Sequence, residues 1–111
     1  FYAGDTGWSA RHFGEIGRRF APIDLALIPI GAYEPRWFMS AQHVNPEEAV
    51  RIQQAIGAHA SLGVHWGTFL MTDEPLDQPL HDLDAARRSL GVSDQQFRTL
   101  RHGQTWRIAT R

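Results

Sequence analysis

The 111-residue sequence predicts an α/β domain built on a parallel sheet, and three observations carry that reading. Short apolar runs alternate with amphipathic segments in the order β-α-β-loop-α-β. Glycine-containing turns end the runs, and the helical segments carry recognisable start and stop residues. Helices that cross over between parallel strands place equivalent strand ends on one edge, which is where open α/β sheets bind ligands.

Phe1-Tyr2-Ala3-Gly4 reads as an apolar strand closed by the turn Asp5-Thr6-Gly7. Residues 11–20 set Phe13, Ile16 and Phe20 at helical spacing, with Ser9 as N-cap and Pro22 as stop. Residues 24–30 form an apolar run suited to a strand covered on both faces, and Pro29 confines the strand's end. A loop over residues 31–44 leads to Asn45-Pro46-Glu47-Glu48. That tetrad predicts a helix with Asn as N-cap, Pro at N1 and Glu48 closing a capping box, its buried stripe being Ala49, Ile52 and Ile56. A third strand is expected over 60–64 and a polar loop over 68–79. A helix follows over 80–90, with Leu83, Ala86 and Leu90 inward and Gly91 ending it. Residues 97–101 and 105–108 flank His102-Gly103 as a terminal hairpin.

Composition narrows the function. A net charge of -1 gives no pull towards nucleic acid, so no nucleic-acid partner is expected. The absence of cysteine excludes disulfides, thiolate metal sites and a cysteine nucleophile, leaving His and carboxylate to hold any metal. No apolar run approaches the roughly 20 residues of a membrane span, so no transmembrane segment is expected, and no signal peptide is visible. The chain begins without Met and inside an apparent strand, and it reads as the C-terminal portion of something longer. Location is unknown from these residues, with a cytoplasmic or peripherally membrane-associated setting favoured.

Asp5 and His65 stand at two strand ends, a carboxylate and an imidazole suited to Zn²⁺ or a similar ion. Two ligands are fewer than a catalytic zinc site uses, and a turn-capping Asp5 with a hydrogen-bonded buried His65 stays open as a plainer reading. His43 closes the long loop and could reach the same edge as a general acid/base or substrate contact; a solvated loop histidine is the alternative. Tyr33 and Arg36 are candidate substrate contacts in that loop, the alternative being an aromatic lid with Glu34 and Arg36 paired. His12, His59, His81 and His102 read as solvated. No nucleophile elbow, phosphate loop or dinucleotide fingerprint is present.

Four segments together carry a resemblance: residues 1–7, 24–39 (Asp24-Leu25 through Tyr33-Glu34-Pro35-Arg36-Trp37-Phe38-Met39), 43–50 and 65–69. They resemble the N-acyl-phosphatidylethanolamine-hydrolysing phospholipase D branch of the metallo-β-lactamase-fold hydrolases. The resemblance implies the C-terminal half of an αββα sandwich, residues 1–111 being part of a single metallo-hydrolase domain with a two-zinc site at one edge. It implies Asp5 as a bridging metal ligand, His65 as a ligand of the second zinc, and His43 as an active-site residue. It also implies cleavage of a phosphodiester, of a lipid or a smaller molecule, by a metal-bound hydroxide. The family's His-x-His-x-Asp-His motif is not found in these residues and is expected upstream of Phe1. The chain alone is therefore expected to be inactive, with its open sheet face needing the missing N-terminal half or another copy. A non-catalytic α/β module that binds or self-associates without a stoichiometric metal is the competing expectation.

Overall fold

The computed structural model describes residues 1–109, in the order α1 (Ala10–Phe20), β1 (Ile23–Pro29), α2 (Arg36–Met39), α3 (Pro46–Ile56), β2 (Ala58–Val64), α4 (Gln78–Leu90) and β3 (Phe97–Arg98). The three strands form one parallel sheet in the order β1-β2-β3. Leu25 lies opposite Ala60, Leu27 opposite Leu62 and Pro29 opposite Val64. Beyond β1, residues 1–3 add a parallel edge by a single bridge between Tyr2 and Leu27, with backbone bonds from Ala3 N–H to Leu27 C=O (3.0 Å) and from Leu27 N–H to Phe1 C=O (2.8 Å). The α/β class and the parallel sheet expected from the sequence are both present.

Each helix follows from its local chemistry. Ser9 accepts from the His12 amide at the start of α1, and two arginines in its last turn face the negative end of the helix dipole. At α3 the Asn45 side chain accepts from Glu48 N–H (2.9 Å), while the Glu48 carboxylate accepts from Asn45 N–H (3.1 Å), so the predicted capping box is complete. Gly57 and Gly91 end α3 and α4 in left-handed conformation, which glycine adopts without steric cost.

The core lies between the sheet and α3, which packs on β1 and β2 and is flanked by α1 and α4. Ala26, Ile28, Ile30, Ala49, Val50, Ile52 and Ile56 are fully buried, with Leu83 and Phe97 closing the α4 side. The period-2 alternation of β1 puts Ala26 and Ile28 into this core and leaves Leu25 and Leu27 half-buried on the other face. α1 approaches α3 closely at Gly17, where an added Cβ would lie 2.3 Å from the Ala55 carbonyl oxygen.

Four expectations are corrected. Residues 105–108 form no strand, and Phe97–Arg98 pairs in parallel with β2, so among the described residues there is no terminal hairpin; the Gly103 turn exists but its described flanks form no ladder. The first strand shrinks to the Tyr2 bridge, where two ladder bonds to Leu27 and one from the Phe1 nitrogen to Leu25 C=O (2.8 Å) hold it to β1. The loop over 31–44 contains the short helix α2, whose backbone bonds lead from Pro35 to His43. Phe20, set at helical spacing with Phe13 and Ile16 on an amphipathic α1, is exposed at the helix end. Among the described residues, no helix is long and apolar enough to cross a membrane.

Candidate metal centre

Parallel pairing delivers the ends of three segments to one edge. Asp5 follows the edge segment, Gly31 follows β1 and His65 follows β2. His43 reaches the same place through α2, because its amide donates to Met39 C=O (2.9 Å) and its own carbonyl accepts from Arg36 Nη1 (2.9 Å). The candidate ligand atoms of Asp5, His43 and His65 all lie within 4.8 Å of one another. His65 Nε2 is 3.6 Å from Asp5 Oδ1, and the His43 and His65 rings are 5.4 Å apart between centroids.

The donor set fits a divalent ion. Ligands at about 2.1 Å around a tetrahedral ion stand roughly 3.4 Å apart, close to the Asp5–His65 separation. The Nδ1 atom of His43 is buried and has no hydrogen-bond partner, a costly state for an imidazole nitrogen unless a proton donor or a ligand faces it. Asp5 and His65 keep 64% and 37% of their side-chain surface, so the third side of the cluster opens to incoming molecules. Asp5 and His65 supply two of the ligands that a catalytic zinc site uses, with His43 beside them and an open side for incoming molecules.

The backbone is strained where it places His65. His65 has φ of 61° and Ala32 has φ of 66°, left-handed values that cost a β-carbon-bearing residue about 1–3 kcal/mol. The two residues meet through Gly31, where a Cβ would lie 2.0 Å from the His65 carbonyl oxygen. Only glycine lets the ends of β1 and β2 close to this distance.

Tyr33 and Arg36 are turned to the interior. Tyr33 is 2% exposed and its hydroxyl donates to Asp82; burial first, and then the Asp82 carboxylate, push its phenol far above the ordinary value. Arg36 donates to the carbonyls of Tyr33 and His43 and forms an ion pair with Glu48, not the Glu34 pair of the alternative reading. The structure thus gathers Asp5, His43 and His65 and sets Tyr33 and Arg36 behind them. His12, His59, His81 and His102 are exposed.

One site-building residue has no local sequence signal. Glu74, 9% exposed, accepts from the backbone amides of Ala32 (3.1 Å), Tyr33 (3.1 Å) and Glu34 (2.8 Å) and from the Thr72 hydroxyl (2.5 Å). Burial alone would raise its carboxyl pKa, but the Thr72 and backbone donors outweigh burial and hold it below the ordinary 4.5. A depressed folded-state value contributes stability that is complete above the unfolded pKa and lost as pH falls through the folded one. Denaturant titrations of wild type and Glu74→Gln are therefore expected to differ by a constant amount above about pH 5 and to converge below it. Glu74 also lines, with His65, Trp66, Phe69, Met71 and Leu76, a mostly apolar cavity of about 220 Å³.

Comparison with known proteins identifies a family for the chain. The Beta-lactamase superfamily domain matches residues 1–66. The chain is 44% identical over 116 residues to N-acyl-phosphatidylethanolamine-hydrolyzing phospholipase D 1 of Caenorhabditis elegans, covering all of this chain and 32% of that protein. It is 38% identical over 98 residues to the mitochondrial N-acyl-phosphatidylethanolamine-hydrolyzing phospholipase D of Saccharomyces cerevisiae, covering 87% of this chain and 21% of that one. The chain thus spans a third or less of the length of these relatives. In fold it is similar to Igni18, a metallo hydrolase of the archaeon Ignicoccus hospitalis KIN4/I, with a TM-score of 0.66 and 23% identity over 98% of this chain and 40% of that one. With the family match covering more than half its length, the chain belongs to the beta-lactamase superfamily, with a metallo-β-lactamase-type fold and similarity to N-acyl-phosphatidylethanolamine-hydrolyzing phospholipases D.

Proposed function

We propose that the chain is the C-terminal part of a zinc-dependent hydrolase that cleaves a phosphodiester in the manner of a phospholipase D, and that it is inactive alone. The observation that carries this reading is the convergence of Asp5, His43 and His65 on one sheet edge. Similarity to two phospholipases named for hydrolysing N-acyl-phosphatidylethanolamine supports a lipid phosphodiester as substrate. When bound, divalent ions at such a site would stabilise developing negative charge on the phosphoryl oxygens and acidify water.

The chain's own residues would do the rest. Asp5 and His65 hold the metal, two ions in the complete domain, with the remaining ligands outside these residues. Hydrolysis forms a phosphorus–oxygen bond from water, breaks the one to the leaving alcohol and returns a proton to that alcohol. His43, beside both ligands, holds or delivers that proton at its ring nitrogen. Tyr33 and Arg36 serve the substrate through the loop they stiffen. The half-buried face of β1 and β2, carrying Leu25, Leu27 and Leu62 beside exposed Tyr2, takes the other half of the sandwich.

In the full-length protein, Asp5→Ala and His65→Ala are expected to lower zinc content and abolish phosphodiesterase activity. His43→Ala is expected to retain zinc and lose about 10²–10⁴-fold in rate. Unchanged zinc in both ligand variants would overturn the assignment. The same open sheet face favours a second reading, a self-associating module without chemistry. Elemental analysis and size measurement separate the two, since that module would hold no stoichiometric metal and would form a stable oligomer through this face.

A further inference from the structure

We propose that Glu74 is the positioning residue of His65, a built-in anion whose carboxylate fills a backbone nest and thereby fixes the imidazole's approach to Asp5 and His43. The proposal rests on the reading that His65 belongs to the functional site, and it adds a residue further along the same β2–α4 connection, which acts through the loop that follows β1.

The geometry runs in three steps. Three successive amides, of Ala32, Tyr33 and Glu34, point at one carboxylate, with the Thr72 hydroxyl as fourth donor. Consecutive amides that converge in this way form an anion-binding concavity, and the left-handed φ of 66° at Ala32 is what turns its N–H into it. Gly31, directly before the nest, abuts the His65 carbonyl so closely that no Cβ fits between them. On its far side, Ile30 N–H donates to Val64 C=O (3.0 Å), tying the chain just before the nest to the residue just before His65. His65, itself left-handed, is thus pressed from behind by a segment whose shape depends on the carboxylate in the nest.

Other candidates explain less. Loop packing alone would not need a charged group, and Glu74 is a nearly buried carboxylate with four donors, each strengthened by its charge. Asp73 N–H also donates to Glu34 C=O (3.1 Å), so the two loops are joined from both sides at this point. The clamp therefore sets a distance between loops and not a single side-chain contact.

The test uses the full-length protein with ¹³Cε1-labelled histidine, studied first without metal. Glu74→Ala and Glu74→Gln are expected to shift the His65 ring signal and erase the His43–His65 ring cross-relaxation, while His12 and His59 signals stay in place. Added formate, a carboxylate small enough for the vacated nest, is expected to restore the His65 signal in Glu74→Ala. It should fail in Glu74→Gln, whose amide blocks the nest. Zinc affinity, measured by chelator competition, is expected to fall about 10–100-fold in both variants, as for other residues that orient metal ligands. Unchanged His65 signals in both variants would overturn the proposal, as would collapse of all histidine signals together in Glu74→Gln, which marks a general stability role. Wild-type protein that takes up no zinc would refute the proposed function and leave the ring readout to decide the role of Glu74.

Discussion

Gly31→Ala is expected to destabilise the domain and to dislodge His65 in the same stroke. The new methyl would lie 2.0 Å from the His65 carbonyl oxygen and 3.1 Å from both the His65 carbonyl carbon and the Trp66 Cα. All three are backbone atoms at the end of β2, so no rotamer change relieves the clash. Overpacking of this kind costs roughly 1–3 kcal/mol when side chains can adjust, and a backbone neighbour puts the cost at or above the upper end. Gly17→Ala supplies the matched control, because its methyl would lie 2.3 Å from the Ala55 carbonyl oxygen, at the contact between α1 and α3. Both variants should lower the urea midpoint. Only Gly31→Ala should also change the His65 ring signals and zinc uptake, and equal changes in the two variants would mean that the β1–β2 closure has no special hold on the site.

Phe97→Ala is the second large expectation, at about 3–5 kcal/mol. Phe97 is completely buried although it belongs to a strand of two residues. Its segment is held by polar contacts from three elements. Ser61 N–H and Gln53 Nε2 each donate to Gln96 C=O at 2.7 Å, and Arg87 Nη1 donates to Phe97 C=O at 2.8 Å. Truncating the ring would leave those bonds around an empty volume between α3 and α4 and would release β3. Domains of this size have about 5–15 kcal/mol of stability in total, so the variant is expected to be largely unfolded near body temperature. Circular dichroism melts check this, and a midpoint within a few degrees of wild type would contradict it.

The two variants also mark where the sequence is legible. Local chemistry writes α3 almost completely: Asn45, Pro46 and Glu48 build its start, Gly57 its end, and Ala49, Ile52 and Ile56 its buried side. The same holds for the edge shared by Asp5 and His65, which follows once the strands are taken as parallel. β3 is different. Residues around His102-Gly103 have hairpin grammar, and Gln104 N–H does bond Arg101 C=O (2.9 Å), but the segment's pairing was decided by Phe97 entering the core beside β2. A two-residue strand has no periodicity to read. Glu74 was hidden for a related reason, since its partners lie 40 to 42 positions earlier and nothing near Thr72 or Pro75 announces them. Arg36 likewise had a nearer acid in Glu34, and its choice of Glu48 depends on where α2 and the start of α3 come to rest.

The few bonds that tie residues 1–3 to β1 have a consequence for how the cluster comes apart. His65 hangs from a central strand paired on both sides, whereas Asp5 lies between an edge segment held to β1 only at Leu25 and Leu27 and a single bond from Val44 N–H to Thr6 C=O (2.9 Å). Opening of such an edge needs far less free energy than global unfolding. Warming should therefore free the carboxylate arm first, with amide exchange at Ala3 outrunning that of the β2 amides. The two imidazoles then remain facing each other on an intact domain, and the cluster loosens reversibly from its acidic side well before the fold is lost.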